Sequence, residues 1–219
     1  MPSFRKGKFM DRKKASLAVN LVIVLLEIIG FVRAFKALGI GVMRFYTQDS
    51  NLLLLGASLG YIAWNLMHPD REAPRWLRIL KLTGTIGVMI TFVIVITVLS
   101  WTTNMGLWTL LTSGSMLYHH TLCPLLGLIT FLFLEPYRFR ESDAVWGMSF
   151  TFLYAAVTVP LNILRIMDGP YPFLRVYQQP VWASFLWAFI ILGGNILLAK
   201  LLINLNRRIL NITDEGGTL

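Results

Sequence analysis

A threonine and two adjacent histidines are the residues of this sequence best suited to catalysis. Thr47 lies in the polar segment 44–51, and His119 and His120 form a pair further along the chain. An imidazole can take the proton of a hydroxyl while the hydroxyl oxygen attacks a carbonyl carbon, and a nearby donor stabilises the oxyanion. A threonine beside a histidine therefore permits nucleophilic catalysis. Because successive helical residues differ by about 100° around the axis, the two imidazoles cannot both face Thr47.

Other polar side chains are candidates for binding a substrate or stabilising an oxyanion. Thr47, Ser50 and Asn51 share one face of a helix because of their spacing. A guanidinium could hold a carboxylate head group, while amides and hydroxyls could donate to an oxyanion. The candidates for these roles are Arg44, Ser50, Asn51, Asn162 and Arg165. The group that orients the histidine is left open among Asp49, Asp168 and Asn162.

The same residue types also occur for structural reasons. Serine and threonine often hydrogen-bond to their own helix in membranes, and histidine at the start of a helix is often interfacial. Cys123 could pair with His120, although a single cysteine in an apolar helix usually serves packing. No spacing of the HExxH type is present, so we predict no metal site and no cofactor.

Glu27 is an acidic residue in the middle of the first apolar stretch. A carboxyl at that depth indicates ion or proton handling by default. It could equally be an acid that hydrogen-bonds to Asn20, to a threonine of another helix or to the floor of a polar cavity. Both interpretations stay open at this point.

The elements that position these residues follow from composition. Hydrophobic residues make up 56% of the 219 residues, charged residues 14%, and the mean hydropathy is +0.64. These values exclude a soluble or disordered chain, and a single cysteine excludes a disulfide framework. Six apolar stretches are long enough to cross a bilayer. We predict an all-α, single-domain bundle over residues 1–219 with spans at 16–38, 48–67, 82–101, 117–134, 145–166 and 181–204.

The basic residues predict the orientation of this bundle. Most of the 20 lysines and arginines fall in the N-terminal segment, the second and fourth connections and the C-terminal end. Positive charge accumulates on the cytoplasmic side, so both termini are predicted to be cytoplasmic. The net charge of +9 then reflects contact with an anionic inner leaflet, and no nucleic-acid partner is implied. In this topology, the polar ends of five helices meet at one depth in the outer leaflet.

Three motifs carry a resemblance to a known family. FYTQDSN begins at Phe45, HHTLCP at His119 and GPYPFL at Gly169. In this order and spacing they resemble the androgen-induced and androgen-dependent six-transmembrane threonine hydrolases, and most closely their bacterial six-span branch. The resemblance implies a hydrolase of fatty acid esters of hydroxy fatty acids in a bacterial cytoplasmic membrane. It places the nucleophile at Thr47 and favours His120 as the base by its spacing from Pro124, with His119 as the alternative.

Two functions are therefore consistent with the sequence. The first is an intramembrane lipid ester hydrolase whose partners are the bilayer and a fatty acyl ester substrate. The second is a non-enzymatic lipid-binding or transport bundle that uses the same polar pocket. The sequence leaves open the chain length, the head group, hydrolysis against acyl transfer, and the oligomeric state.

Overall fold

The chain folds into a bundle of helices. The computed structural model describes the backbone of residues 2–210 and the side chains of residues 11–210, and this part of the chain contains no strand. The prediction of an all-α architecture is confirmed. The α-helices are α1 (Pro2–Leu38), α2 (Tyr46–Met67), α3 (Arg75–Ile94), α4 (Ser100–Thr102), α5 (Leu107–Thr112), α6 (Cys123–Ile129), α7 (Ser149–Ile163) and α8 (Val181–Leu210).

Short segments of wider or tighter helix extend several of these elements. π turns occupy Val95–Leu99, Leu117–Leu122 and Thr130–Leu134, and 3₁₀ turns occupy Gly39–Arg44 and Glu141–Met148. The turn Leu117–Leu122 contains both histidines. Pro124 has no backbone N–H to donate to His120, which favours the wider turn just before it. π turns of this kind are frequent at functional sites.

Five helical segments are long and apolar enough to cross a membrane. They are Asp11–Arg44, Arg75–Thr102, Leu117–Leu134, Glu141–Ile163 and Val181–Leu210. Each overlaps one of the predicted spans. Their outward surfaces on α1, α7 and α8 carry large exposed apolar side chains, among them Leu25, Phe152 and Phe189. A surface of this kind is stable against lipid and unfavourable in water, which is consistent with an integral membrane protein.

The remaining predicted span corresponds to α2, a 22-residue helix that packs against α1 and α3. Its hydropathy is lowered by polar side chains, but six of these are buried inside the bundle: Thr47, Gln48, Ser50, Asn51, Ser58 and Asn65. The backbones of α2 and α3 approach closely, because a Cβ added at Gly84 would lie 3.2 Å from the Cα atom of Leu54. This part of α2 is thereby packed closely against α3.

A polar network crosses the interior at the opposite end of the bundle. We call Ser16, Asn20, Lys81, Glu135 and Tyr137 the inner network. Lys81 Nζ lies 3.4 Å from Glu135 Oε1 with both side chains fully buried, and it donates a hydrogen bond to Asn20 Oδ1 at 2.7 Å. Glu135 Oε1 accepts from Ser16 and Asn20, and its Oε2 accepts from Tyr137 at 2.8 Å. The buried charges are thus paired and hydrogen-bonded, as burial requires.

The inner network corrects two parts of the sequence interpretation. The positive charges that the sequence analysis assigns to the second, cytoplasmic connection include Lys81, whereas the Lys81 side chain is 0% exposed between helices. The sequence analysis also considers Asn20 as a possible partner of Glu27, whereas the amide of Asn20 hydrogen-bonds to Lys81 and Glu135. Periodicity cannot show either contact, because the partners lie 61 and 115 residues from Asn20 in sequence.

Candidate functional site

Thr47 is buried in the first turn of α2. Phe45 precedes the helix in an extended conformation, with φ of −91° and ψ of 129°, so the chain turns sharply into the helix. The first N–H groups of a helix have no intrahelical acceptor. Thr47 N–H instead donates to the phenol oxygen of Tyr171 at 3.2 Å, and the Thr47 hydroxyl lies 3.4 Å from that same oxygen. Tyr171 is therefore the direct partner of the predicted nucleophile.

The loop between α7 and α8 positions Tyr171. A Cβ at Gly169 would lie 2.5 Å from the carbonyl carbon and oxygen of Leu174, so the close turn of this loop requires glycine. The ring of Tyr171 stacks on Phe173 with 5.3 Å between centroids. Burial raises the pKa of Tyr171 to about 12, although the hydrogen bonds from Thr47 oppose this shift. The phenol is therefore neutral near pH 7 and has a proton to donate.

Thr47 and Tyr171 line a cavity of about 470 Å³ between α3, α7 and α8. Its walls are mainly apolar, with Ile94, Val159 and Leu192 among them. Hydroxyl groups gather among the remaining residues of the wall: Tyr46, Thr47, Thr91, Thr151, Tyr154, Tyr171, Tyr177 and Ser184. A cavity of this size and lining suits a largely apolar ligand that carries a small polar group.

A second hydrogen-bonded chain lies in the wall of this cavity. The hydroxyls of Tyr46 and Thr151 are 2.7 Å apart, and Thr151 donates to Asn195 Oδ1 at 2.9 Å. Asn195 in turn donates to the Ile191 carbonyl within α8. The chain links the start of α2 to α7 and α8, so these side chains hold the wall of the cavity in place.

Ser50 and Asn51 lie beside Thr47, but their donors are already used. Ser50 Oγ donates to the Thr47 carbonyl at 3.1 Å, and it lies 3.2 Å from Thr91 Oγ1. Asn51 Nδ2 donates to the carbonyls of Thr47 and His119, at 2.7 and 3.1 Å. An amide nitrogen has two hydrogens, so the Asn51 side chain has none left for an oxyanion. Both residues support the turn that carries Thr47.

His119 lies against α1, in contact with a buried acid. Its Nε2 atom is 3.3 Å from Oε2 of Glu27, and the two side chains are 1% and 0% exposed. The ring of Phe31 packs on the imidazole with 4.8 Å between centroids. Asn51 connects the backbone of this histidine to that of Thr47. The structure therefore joins Glu27, His119 and the Thr47 turn in one buried region.

His120 points to another neighbour. Its Nδ1 donates to the carbonyl of Leu110 in α5 at 2.7 Å, which leaves Nε2 as the unprotonated nitrogen of the neutral ring. Among the residues the structure describes, no hydrogen bond joins Thr47 to either imidazole. The two rings have different partners, as expected for neighbours on a helix, and the assignment of His120 as the base remains a prediction.

The other three candidates for substrate binding have separate positions. Asn162 is buried, donating to the Met167 carbonyl and accepting from the Val176 N–H, so it shapes the loop between α7 and α8. Arg165 is exposed and its guanidinium lies 4.6 Å above the Tyr177 ring. Arg44 is exposed beside Phe45, in a groove of about 560 Å³ that also contains Asp49.

The acids and the cysteine named as orienting or alternative groups are dispersed. Asp168 is exposed, and Cys123 is buried in an apolar cluster with Ile23, Leu54 and Val88. Within the described part of the chain, no three side chains of His, Cys, Asp or Glu converge as metal ligands would.

Sequence reasoning missed the Tyr171 contact, the Tyr46–Thr151 pair and the pairing of Glu27 with His119. The motif GPYPFL contains Tyr171, so this motif could have pointed to the Tyr171 contact. Comparison of the chain with protein-family models, curated sequences and solved structures gives no match.

Proposed function

We propose that this protein is an intramembrane lipid ester hydrolase with Thr47 as its nucleophile. The observation that carries the proposal is the position of the Thr47 hydroxyl, in the wall of a mainly apolar cavity and 3.4 Å from a neutral phenol. The cavity accommodates an acyl chain, and the ester carbonyl of that chain would lie beside Thr47. This function agrees with the resemblance of three motifs to the six-transmembrane threonine hydrolases.

Tyr171 supplies what the proposed chemistry needs at the carbonyl oxygen. When Thr47 Oγ1 bonds to the ester carbon, the carbonyl oxygen becomes negatively charged and needs a donor. Ser50 and Asn51 have committed their donors, whereas the Tyr171 phenol carries a proton next to Thr47. We therefore assign oxyanion stabilisation to Tyr171, in place of Ser50, Asn51 or Asn162.

One of the two adjacent histidines acts as the base in this proposal. His120 has an unprotonated Nε2 because its Nδ1 is held by Leu110, and His119 has an acid beside it. A base must come within hydrogen-bond reach of the hydroxyl in the substrate complex, directly or through one water. The assay below includes both residues separately.

The topology proposed with this function has six spans, with α2 as the second. Both termini then lie on the cytoplasmic side of a bacterial membrane, and Thr47 lies in the outer leaflet. Arg44 and Arg165, which are exposed near the same end, would meet the head groups there. The inner network would lie toward the cytoplasmic surface.

A non-enzymatic lipid-binding or transport bundle is the second candidate. The observation that favours it is that Thr47 pairs with a phenol and with neither imidazole among the described residues. In this function the same cavity holds an acyl chain without cleaving it. The two candidates predict different results with a reactive probe.

The test is covalent labelling of membranes by a fluorophosphonate probe, which reacts with activated serine or threonine. We expect labelling of the wild type, its loss in Thr47→Ala and its partial return in Thr47→Ser. His119→Ala and His120→Ala are compared to identify the base, which is the histidine whose replacement abolishes labelling. Ser184→Ala is the matched control, because Ser184 lines the same cavity and its hydroxyl accepts from Gln179, away from Thr47.

The outcomes separate the two candidates. Labelling that survives in Thr47→Ala contradicts the nucleophile assignment. If the wild type is unlabelled, hydrolysis by Thr47 is excluded. Binding of a fluorescent fatty acid, weakened by Ala155→Trp in the cavity wall, then supports the lipid-binding function.

A further inference from the structure

Glu27 and His119 form a pair that is closed off from solvent within the bundle. Oε2 of Glu27 lies 3.3 Å from Nε2 of His119, and the side chains are 0% and 1% exposed. Neither carboxyl oxygen accepts a hydrogen bond from an N–H or O–H group of the described residues. An acid in such a place is costly unless a specific partner or function retains it. His119 and the thiol of Cys123 are its partners.

Helix α1 leaves room for this imidazole at Gly30. A Cβ added at Gly30 would lie 2.4 Å from His119 Nε2 and 2.8 Å from its Cδ2, so the ring occupies the space that a side chain would need. Phe31 packs on the face of the ring. Glu27, Gly30 and Phe31 thus lie on one face of α1 by their spacing and together determine where the ring can lie.

The remaining ring nitrogen is available for chemistry. Both ring nitrogens of His119 are buried without a hydrogen-bond partner among the described residues, and Nε2 is the one in contact with Glu27, which leaves Nδ1 for another partner. The backbone carbonyl of His119 accepts from Asn51, which also holds the carbonyl of Thr47. One amide therefore ties the turn of the histidine to the turn of the nucleophile. Among residues 11–210, whose side chains the structure describes, no comparable link connects Thr47 to His120, whose ring is bonded to α5.

We infer that Glu27 is the positioning residue for His119, which acts as the base of Thr47. This inference rests on the function proposed above. The Glu27 carboxyl lies 3.3 Å from Nε2, so it favours the ring proton on that nitrogen and leaves Nδ1 unprotonated. Nδ1 takes the Thr47 proton as Oγ1 bonds to the ester carbon, and the carboxylate stabilises the imidazolium that forms. The proton then passes to the alcohol as its bond to carbon breaks, and water later hydrolyses the acyl group from Thr47.

The experiment compares labelling rates and their pH dependence in Glu27→Gln, Glu27→Asp and the wild type. We expect Glu27→Gln to slow labelling about 100-fold, as loss of a large part of general-base catalysis would. Glu27→Asp should recover part of the rate. The charged or titratable groups next to the pair are Cys123 and His120. Without the carboxylate, the midpoint of the acid limb in the pH profile should move to lower pH, because the imidazolium loses its counter-ion.

A variant on the other side of the contact, Gly30→Ala, tests the inference if Glu27→Gln folds poorly. Gly30→Ala leaves the carboxylate in place and displaces the ring, so it should slow labelling as well. Gly56→Ala is its matched control, because a Cβ there meets no atom within 4 Å. Glu141→Gln removes an exposed acid of the turn Glu141–Met148 and should leave the rate and the pH profile unchanged.

The outcomes distinguish this inference from the proposed function. If Thr47→Ala abolishes labelling while Glu27→Gln matches the wild type in rate and pH profile, Glu27 is not the positioning residue and the hydrolase stands. Loss of labelling in His120→Ala with normal labelling in His119→Ala overturns the inference in the same way. If labelling survives Thr47→Ala, the proposed function itself fails.

Discussion

The phenol of Tyr171 accepts a hydrogen bond from the backbone N–H of Thr47 at 3.2 Å, across 124 residues of sequence. This contact closes the outer loop between α7 and α8 over the first turn of α2. It also places a neutral donor 3.4 Å from the Thr47 hydroxyl. The first three predictions test the consequences of this relationship for the proposed chemistry.

Replacement of Tyr171 by phenylalanine should slow fluorophosphonate labelling of Thr47 by about 100-fold, the effect typical of removing one oxyanion donor. The ring and its stacking on Phe173 remain, so the melting temperature should change little. Tyr177→Phe is the control, because the Tyr177 hydroxyl donates to the Ile163 carbonyl on an exposed surface. Equal labelling rates in Tyr171→Phe and the wild type would rule out a donor role for this phenol.

The pH dependence of labelling should lack an alkaline limb due to Tyr171 between pH 8 and about 11. Burial raises the pKa of this phenol to about 12, so the proton that it donates stays in place through that range. A raised pKa keeps the phenol in its neutral, donating form as pH rises, so the labelling rate falls only as pH approaches that pKa. A rate that falls with a midpoint near pH 10 in the wild type but not in Tyr171→Phe would contradict this assignment.

Replacement of Gly169 by alanine should displace the outer loop. The new Cβ would lie 2.5 Å from backbone atoms of Leu174, which cannot move without moving the loop. A displacement of about 1 Å at a reacting group can cost 100-fold in rate, and we expect a loss of that order in labelling. Gly106→Ala is the control, because a Cβ there meets no atom within 4 Å. A normal rate in Gly169→Ala would show that the loop tolerates a side chain at this position.

Replacement of Lys81 by methionine should lower the free energy of unfolding by about 3–5 kcal/mol, because it leaves Glu135 buried without its counter-charge. Lys81→Met combined with Glu135→Gln should lose less than Lys81→Met alone, since no unpaired charge then remains. Unfolding in detergent micelles, followed by tryptophan fluorescence, measures the difference. Lys14→Met on the exposed side of α1 is the control. Strictly additive losses in the double variant would show that the two charges are not coupled.

The amino-acid sequence was sufficient to predict the helices and much of their extent. Continuous apolar stretches of about 20 residues favour helices in a membrane, because a helix satisfies its own backbone hydrogen bonds. The stretches predicted at 117–134 and 181–204 correspond closely to helical segments Leu117–Leu134 and Val181–Leu210. The sequence also pointed to the polar segment around Thr47, because polar residues at the end of an apolar helix are conspicuous.

Tertiary packing decided the partners of the polar side chains. Thr47 meets Tyr171, Glu27 meets His119, and Lys81 meets Glu135. Local periodicity gives the face of a helix on which each residue lies, but a contact between helices depends on their relative rotation and depth. Those quantities come from close approaches such as Gly30 against His119 and Gly84 against Leu54, which involve residues distant in sequence. The sequence by itself therefore determined a helical chain with segments apolar enough to cross a membrane and with candidate reactive groups. Only the packed bundle decided which groups meet, because long-range contacts fix helix rotation.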